Sequence, residues 1–223
     1  MESEIDTPCR IAFEEMDSLK VNGEEIKIVK DGYFVDKDIH TAKIPMIKKG
    51  TNEIVVTAPI GKRVSLENYF LIGDFGVELE GATKTICENK EKISFGSITN
   101  YRMPFYGGNV SYFAEFDAEE DCKVEFITNY YRGEFVKVIL DGADIGNIVI
   151  MPYNVMTEIK KGHHKVEFVL YGNRFNTFGA LHNSSDEIWR DPGCYYAAGT
   201  NFTYDYMVKP TGIITSPIIR FFK

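Results

Sequence analysis

Arg132-Gly-Glu-Phe-Val-Lys-Val-Ile-Leu-Asp-Gly-Ala-Asp-Ile-Gly-Asn-Ile148, followed by Ile159-Lys-Lys-Gly-His-His-Lys-Val-Glu-Phe-Val-Leu-Tyr-Gly-Asn-Arg-Phe-Asn176, decides the fold of this chain. Phe135, Val136, Val138 and Leu140 make a β-rich apolar run that stops at Asp141-Gly142. Both residues of such a pair accept positive φ, so Asp-Gly between two apolar runs signals a tight hairpin. Ile145, Ile148 and Ile150 continue on the far side, and a connection through Pro152 leads to Ile159-Lys160-Lys161-Gly162 and a new strand, Val166 to Tyr171. The pattern predicts a piece of an antiparallel β-sandwich.

Working outward, the same pattern occurs earlier in the chain. Ile47-Lys48-Lys49-Gly50 repeats Ile159-Lys160-Lys161-Gly162 word for word. Each loop is preceded by a strand that ends in a turn, Leu19-Lys20-Val21-Asn22-Gly23 and Val138-Ile139-Leu140-Asp141-Gly142. Each is followed by a strand, Ile54-Val55-Val56 and Val166-Glu167-Phe168-Val169, and then by a break at Gly61-Lys62-Arg63 or Gly172-Asn173-Arg174. Four features in one order predict a shared substructure, and such repeats constrain a fold before any single element does.

The two copies differ in what lies ahead of them. Before the second come strand-like runs at Ile93 to Ile98, Val110 to Phe116 and Val124 to Ile127, divided by Gly107-Gly108 and the acidic turn Glu119-Glu120-Asp121. Before the first there is little chain. The expectation is an all-β protein of two β-sandwich units, with residues 1–90 an incomplete one and residues 91–223 a complete one. The boundary is placed in the charged break Asn89 to Lys92, and the short first unit reads as the tail of a longer protein. Helical periodicity is weak; short helical turns are expected near Ser65 to Tyr69 and Ser184 to Trp189.

Composition narrows the function. Thirty-three acidic against twenty-five basic residues give a net charge of −8, the wrong sign for nucleic acid, which is held by cations on phosphates. No apolar run is long enough to span a bilayer and no polybasic patch would hold an anionic membrane surface. The acidic start Met1-Glu2-Ser3-Glu4 is not a signal peptide. Cys9, Cys87, Cys122 and Cys194 are scattered without a Cys-x-x-Cys pair, which reads as reduced thiols in a cytoplasmic protein.

Residues able to carry chemistry are few. His163 and His164 are adjacent on an extended segment and face opposite ways, so they do not chelate one metal; they read as a solvated turn. His182 lies near Asp186, Glu187 and Asp191, but a metal site needs three or four ligands at ordered spacing. Carboxylate pairs for glycosidic cleavage must face each other at a set distance, and neither Asp186/Glu187/Asp191 nor Asp74/Glu78 is shown by sequence to do so. No nucleophile elbow, phosphate loop or dinucleotide fingerprint is present, so no catalytic residue is assigned. The aromatic residues give the better hint. Tyr101, Tyr106 and Trp189 fall in loop-like segments together with Arg174, Asn176 and His182. An aromatic platform with planar amide and guanidinium partners is how a protein holds a sugar, so these six are the candidate carbohydrate-binding residues. The competing reading is that they plug the sandwich end.

Asp141 to Gly146, Pro152, Ile159 to Gly162 and the strand after them resemble the galactose-binding-like jelly rolls of glycoside hydrolases, including the sugar-binding domain of glycoside hydrolase family 2. Val21-Asn22-Gly23 and Lys49 to Ile54 resemble the same pattern. The segments Asn68 to Val77, Met103 to Asn109 and Gly172 to Asn183 are similar to the C-terminal region of large bacterial α-L-rhamnosidase-like and family-2-like glycosidases. The resemblance implies a non-catalytic accessory β-sandwich that supports a catalytic domain or subunit and contacts carbohydrate. It implies no cofactor, and a structural Ca²⁺ in a sandwich loop is compatible with it. A free-standing lectin-like binder, or a small glycosidase using Asp186 or Asp191 with His182, are the alternatives.

Overall fold

The computed structural model describes residues 1–59, 61, 68–185 and 192–222. They form an all-β sandwich protein whose chain divides into two compact units, Met1–Asn89 and Lys90–Lys223.

The first unit contains β1 (Glu2–Ser3), β2 (Arg10–Phe13), β3 (Ser18–Val21), β4 (Glu24–Ile26), β5 (Lys30–Phe34), β6 (Asp36–Lys43), β7 (Gly50–Thr51), β8 (Ile54–Thr57), β9 (Phe70–Ile72), β10 (Gly76–Glu80) and β11 (Thr83–Cys87). Their sheet orders are β5-β6-β2-β9, β4-β3-β8 and β10-β11-β1-β7. The core gathers Ile11 and Phe13 of β2, Leu19 and Val21 of β3, and Ala42, Ile44, Ile47 and Ile86. The segment Ile5 to Met16 holds β2, whose backbone pairs with β6 and β9 and whose Ile11 and Phe13 enter the core.

The second unit contains β12 (Val110–Ala118), β13 (Cys122–Ile127), β14 (Tyr131–Arg132), β15 (Phe135–Leu140), β16 (Ala143–Ile148), β17 (Asn154–Ile159), β18 (Gly162–Tyr171), β19 (Gly212–Ile213) and β20 (Ile218–Phe222). One sheet runs β12-β18-β15-β16, a facing one β17-β13-β20, and β14 pairs with β19. Val136, Val138 and Leu140 of β15 and Val166, Phe168 and Leu170 of β18 point inward at every second position and meet Val124 and Phe126 of β13. Each such side chain, fully buried, contributes roughly 1.5–3 kcal/mol. The run Ile93 to Ile98 is not a strand. Its Gly96 and Ile98 N–H groups donate to the carbonyls of Ile213 and Thr211 at 2.7 Å each, so it is an irregular segment laid against the far end of the chain.

Both hairpins use the same turn. Asn22 and Gly23 have φ of 52° and 82°, and Asp141 and Gly142 have φ of 50° and 84°, the left-handed pair that matches strand twist in a two-residue hairpin. The turn side chain then reaches the next strand. Glu53 N–H donates to Asn22 Oδ1 and Lys165 N–H donates to Asp141 Oδ1, each at 2.8 Å. The Lys-Lys-Gly loops are gripped alike. Lys49 N–H donates to Asp6 Oδ1 at 2.8 Å and Lys48 Nζ sits 3.1 Å from Asp6 Oδ2. Lys161 N–H donates to Asp121 Oδ1 and Lys160 Nζ to Asp121 Oδ2, both at 2.8 Å. The Thr7–Ile47 bridge in the first unit matches the Cys122–Ile159 pair in the second. The repeat in the sequence is therefore a repeat in hydrogen bonding.

Under each loop lies a buried polar residue at the same place, Asn52 or His164. Asn22 Nδ2 donates to Asn52 Oδ1 at 3.0 Å, and Asn52 Nδ2 donates to the Lys48 carbonyl at 2.6 Å. In the second unit His164 Nδ1 lies 2.7 Å from Asp141 Oδ2 and Nε2 lies 2.8 Å from the Lys160 carbonyl. A carboxylate and a carbonyl are both acceptors, so this pair of partners favours the imidazolium, with hydrogen on both ring nitrogens. One unit is locked by amides, the other by an ion pair.

Candidate functional site

The loops at one end of the second unit carry the described candidates. The first, Ile93 to Asn109, includes a 3-10 turn, Ile98–Tyr101, closed by Arg102 at a φ of 66°. The second, Gly172 to Asn183, includes α1 (Phe175–Phe178). The third runs from Phe202 to Ile213.

Hydrogen bonds between main chain and side chain join them. Thr177 Oγ1 donates to the Phe105 carbonyl at 2.8 Å. Thr211 N–H donates to Ser97 Oγ at 3.2 Å. Glycines let the backbones touch. A Cβ on Gly172 would lie 2.3 Å from the Gly108 carbonyl oxygen, and one on Gly107 would lie 3.1 Å from the Asn173 carbonyl oxygen and 3.2 Å from Arg174 Cγ.

Each candidate has a definite place. Tyr106 is 45% exposed; its hydroxyl donates to the Asn109 carbonyl at 3.1 Å and its ring folds over Gly108. Arg174 is exposed on the loop that abuts Gly107. Tyr101 is half-buried, with its ring beside Gly96.

His182 is half-buried and donates from Nδ1 to the Thr203 carbonyl at 3.1 Å. Its ring packs 4.6 Å from Tyr206, which meets Phe105 edge-on at 5.2 Å. Asn176 is 2% exposed, and its amide is spent on the backbone: Nδ2 donates to the Lys209 carbonyl and Oδ1 accepts the Lys209 N–H, both at 2.8 Å. It ties two loops together and presents no group to solvent. Trp189, Asp186, Glu187 and Asp191 lie outside the described residues, as does most of the Ser184 to Trp189 segment.

Tyr106 and Arg174 thus lie on loops that abut at Gly107 and Gly108, and Tyr101 and His182 belong to the same set of loops. Exposed Tyr204, not singled out by sequence, packs edge-on against Phe202 at 4.9 Å and adds to the aromatic surface. Asp74 and Glu78 are both exposed, and Asp74 accepts a hydrogen bond from Asn89 Nδ2 at 3.3 Å. Among the described residues no group of three or more His, Cys, Asp and Glu side chains is placed to hold a metal ion, and no helix is long and apolar enough to cross a membrane.

The adjacent histidines do face opposite sides. However, they lie in β18, not in a solvated turn. His163 is exposed beside Asp117 at 3.0 Å, while His164 is buried and stacks on Phe116 at 5.4 Å. The Asp141 carboxylate, with the Lys160 carbonyl, raises the pKa of His164 above the ordinary histidine value. Asp141 is held below the usual carboxylate range by the Lys165 N–H first and by His164 second. Asp121 is lowered chiefly by Lys160 and Asp6 chiefly by the Lys49 N–H. The four cysteines are free thiols, and burial pushes Cys9 up to about 11.

No family model and no curated protein matches the chain. Among solved structures it is similar to a rhamnosidase from Novosphingobium sp. PP1Y, with 14% identity over 98% of this chain and a TM-score of 0.42. It is also similar to a GH2 beta-galacturonidase from Eisenbergiella tayi bound to galacturonate, with 21% identity over 65% of this chain and a TM-score of 0.34. The chain spans 22% of the length of each.

Proposed function

We propose that this chain is a non-catalytic β-sandwich portion of a glycoside hydrolase, which supports a catalytic domain or subunit and contacts carbohydrate through the loop cluster of its second unit. The carrying observation is that exposed Tyr106 and exposed Arg174 lie on abutting loops. A phenol face offers a wall for the C–H surface of a sugar ring, and a guanidinium supplies planar donors for its hydroxyls or a uronic carboxylate. Around them Asn176, Thr177 and the glycines use their own hydrogen bonds and close contacts to hold the loops, so the recognising pair stands on a fixed base. The galactose-binding-like pattern of both hairpins and Lys-Lys-Gly loops supports the same reading.

The test is a calorimetric titration of the whole chain against a panel of neutral and acidic monosaccharides, with an aryl-glycoside assay alongside. Saturable binding lost in both Tyr106→Ala and Arg174→Ala, without turnover, is expected. A flat titration across the panel overturns the carbohydrate contact, and turnover by the chain alone overturns the non-catalytic role.

A further inference from the structure

Asn22-Gly23, the turn between β3 and β4, is the one Asn-Gly pair in the sequence. Asparagine is a chemically labile side chain, and it is most so before glycine, where no Cβ hinders approach of the next main-chain nitrogen to the amide carbon. Both residues are exposed, and a Cβ on Gly23 would meet nothing within 4 Å. Among the described residues the Gly23 N–H takes no hydrogen-bond partner. The nitrogen that would attack is therefore uncommitted and open to water.

What restrains the reaction is the far end of the side chain. Asn22 Oδ1 accepts the Glu53 N–H at 2.8 Å and Asn22 Nδ2 donates to Asn52 Oδ1 at 3.0 Å, which ties the amide to the residues that lead into β8. Asn52 has no freedom to follow a change there. It is 2% exposed, its Nδ2 donates to the carbonyls of Lys48 and Gly50 at 2.6 and 3.0 Å, and its Oδ1 also accepts the Lys48 N–H at 3.1 Å.

We propose that Asn22 is a site of spontaneous deamidation whose conversion releases the lock of the first unit, a one-way change. In a brief local opening of the turn the Gly23 nitrogen bonds to Asn22 Cγ and gives up its proton, and the Nδ2 group leaves as ammonia. Water then opens the cyclic imide at either carbonyl, giving aspartate or isoaspartate. Aspartate keeps the acceptor for Glu53 but sets its second oxygen against Asn52 Oδ1, where Nδ2 had donated. Neither oxygen carries a hydrogen, and turning Asn52 over would forfeit its bonds to Lys48 and Gly50. Isoaspartate adds a carbon atom to the main chain of a two-residue turn, and the strands it joins lose their register. The second unit shows what an acid in this place requires: Asp141 is met by His164, where the first unit has an amide. The inference rests on the hydrogen bonds of the first unit and is independent of any carbohydrate contact.

The test is peptide mass spectrometry of the whole chain held in warm, mildly alkaline buffer, with amide, aspartate and isoaspartate distinguished at every asparagine. Asn22 is expected to convert ahead of all the others, Asn183 before Ser184 included. Asn52→Ala removes the acceptor that holds the Asn22 amide and is expected to speed conversion about three- to tenfold, the equivalent of one hydrogen bond. The converted chain, more negative by one charge, is separated by anion exchange and compared with the unconverted chain by hydrogen exchange. It is expected to lose amide protection in β3 and β8 while β15 and β18 keep theirs. Conversion of Asn22 no faster than that of the other asparagines, a rate unchanged in Asn52→Ala, or a converted chain that exchanges like the unconverted one overturns the proposal. The first and last readings use the unaltered protein and decide the matter even where Asn52→Ala fails to fold.

Discussion

Replacing Asp141 and His164 singly and together, by Asn in each case, converts the lock of the second unit into that of the first. The singles are not equivalent. In Asp141→Asn the new amide donates to a neutral His164 Nδ1 while Nε2 still donates to Lys160, so every group keeps a partner and only charge is lost. In His164→Asn one amide must serve two acceptors, and its oxygen is turned toward either a carboxylate or a carbonyl; it also loses the stack on Phe116. Hydrogen bonds to charged groups are worth roughly 1.5–3 kcal/mol, and the 47% exposure of the Asp141 side chain against 11% for His164 brings the ion pair toward about 1–2 kcal/mol. The expected order of stability is wild type, then Asp141→Asn, with His164→Asn last and the double variant above it.

The pH dependence follows from the directions of the two shifts. His164 is raised when folded, so its contribution is complete below the unfolded histidine value of about 6.5 and is lost as pH rises through the folded value. Asp141 is lowered when folded, so its contribution is present above the unfolded carboxylate value of about 3.9 and is lost as pH falls through the folded one. The lock is strongest between those limits. Hydrogen-exchange mass spectrometry at pH-corrected times reads β15 and β18 separately from β3 and β8, whose Asn22–Asn52 lock carries no charge. Protection of β15 and β18 should fall on going from mildly acid to mildly alkaline solution, and that fall should vanish in the double variant. Equal pH dependence in wild type and double variant, or a His164→Asn chain as stable as Asp141→Asn, would refute the reasoning.

Further outcomes follow from other contacts. Phe168→Ala, in a fully closed core, should cost about 3–5 kcal/mol, while Val56→Ala at the matching half-buried place costs clearly less; urea unfolding of the two variants compares them. Gly172→Ala drives a methyl group into the Gly108 carbonyl and should destabilise the second unit by about 1–3 kcal/mol, seen as a lower melting temperature. Asp121→Asn should speed amide exchange at Lys161 without affecting Lys49, because each loop has its own carboxylate. Iodoacetamide followed by mass spectrometry should modify Cys9 only after unfolding, since it is buried and its thiol is held protonated, while half-buried Cys122 and Cys194 react in the native chain.

What was readable beforehand is what depends on near neighbours. The Asp141-Gly142 hairpin, the repeat and the alternation of Val136, Val138 and Leu140 are local patterns, and local patterns predict strands. His164 reads as a turn residue by sequence because its surroundings come from Phe116 and Asp141, far away along the chain. Ile93 to Ile98 has the residues of a strand but finds its partners in Thr211 and Ile213. Asn176 has the look of a surface amide, yet Lys209 claims both its donor and its acceptor. Tyr106 and Arg174 are both candidates by sequence, but the abutment of their two glycine-bearing loops is revealed by no spacing.

That meeting of Gly107 and Gly108 with Gly172 and Asn173 has a wider result. Where main chain rests on main chain and Thr177 and Asn176 turn their hydrogen bonds inward, the exposed side chains are not what keeps the loops in place. Exposed residues such as Tyr106 and Arg174 then sit on a fixed mount, and exchanging them changes the chemistry of the surface without remaking its shape.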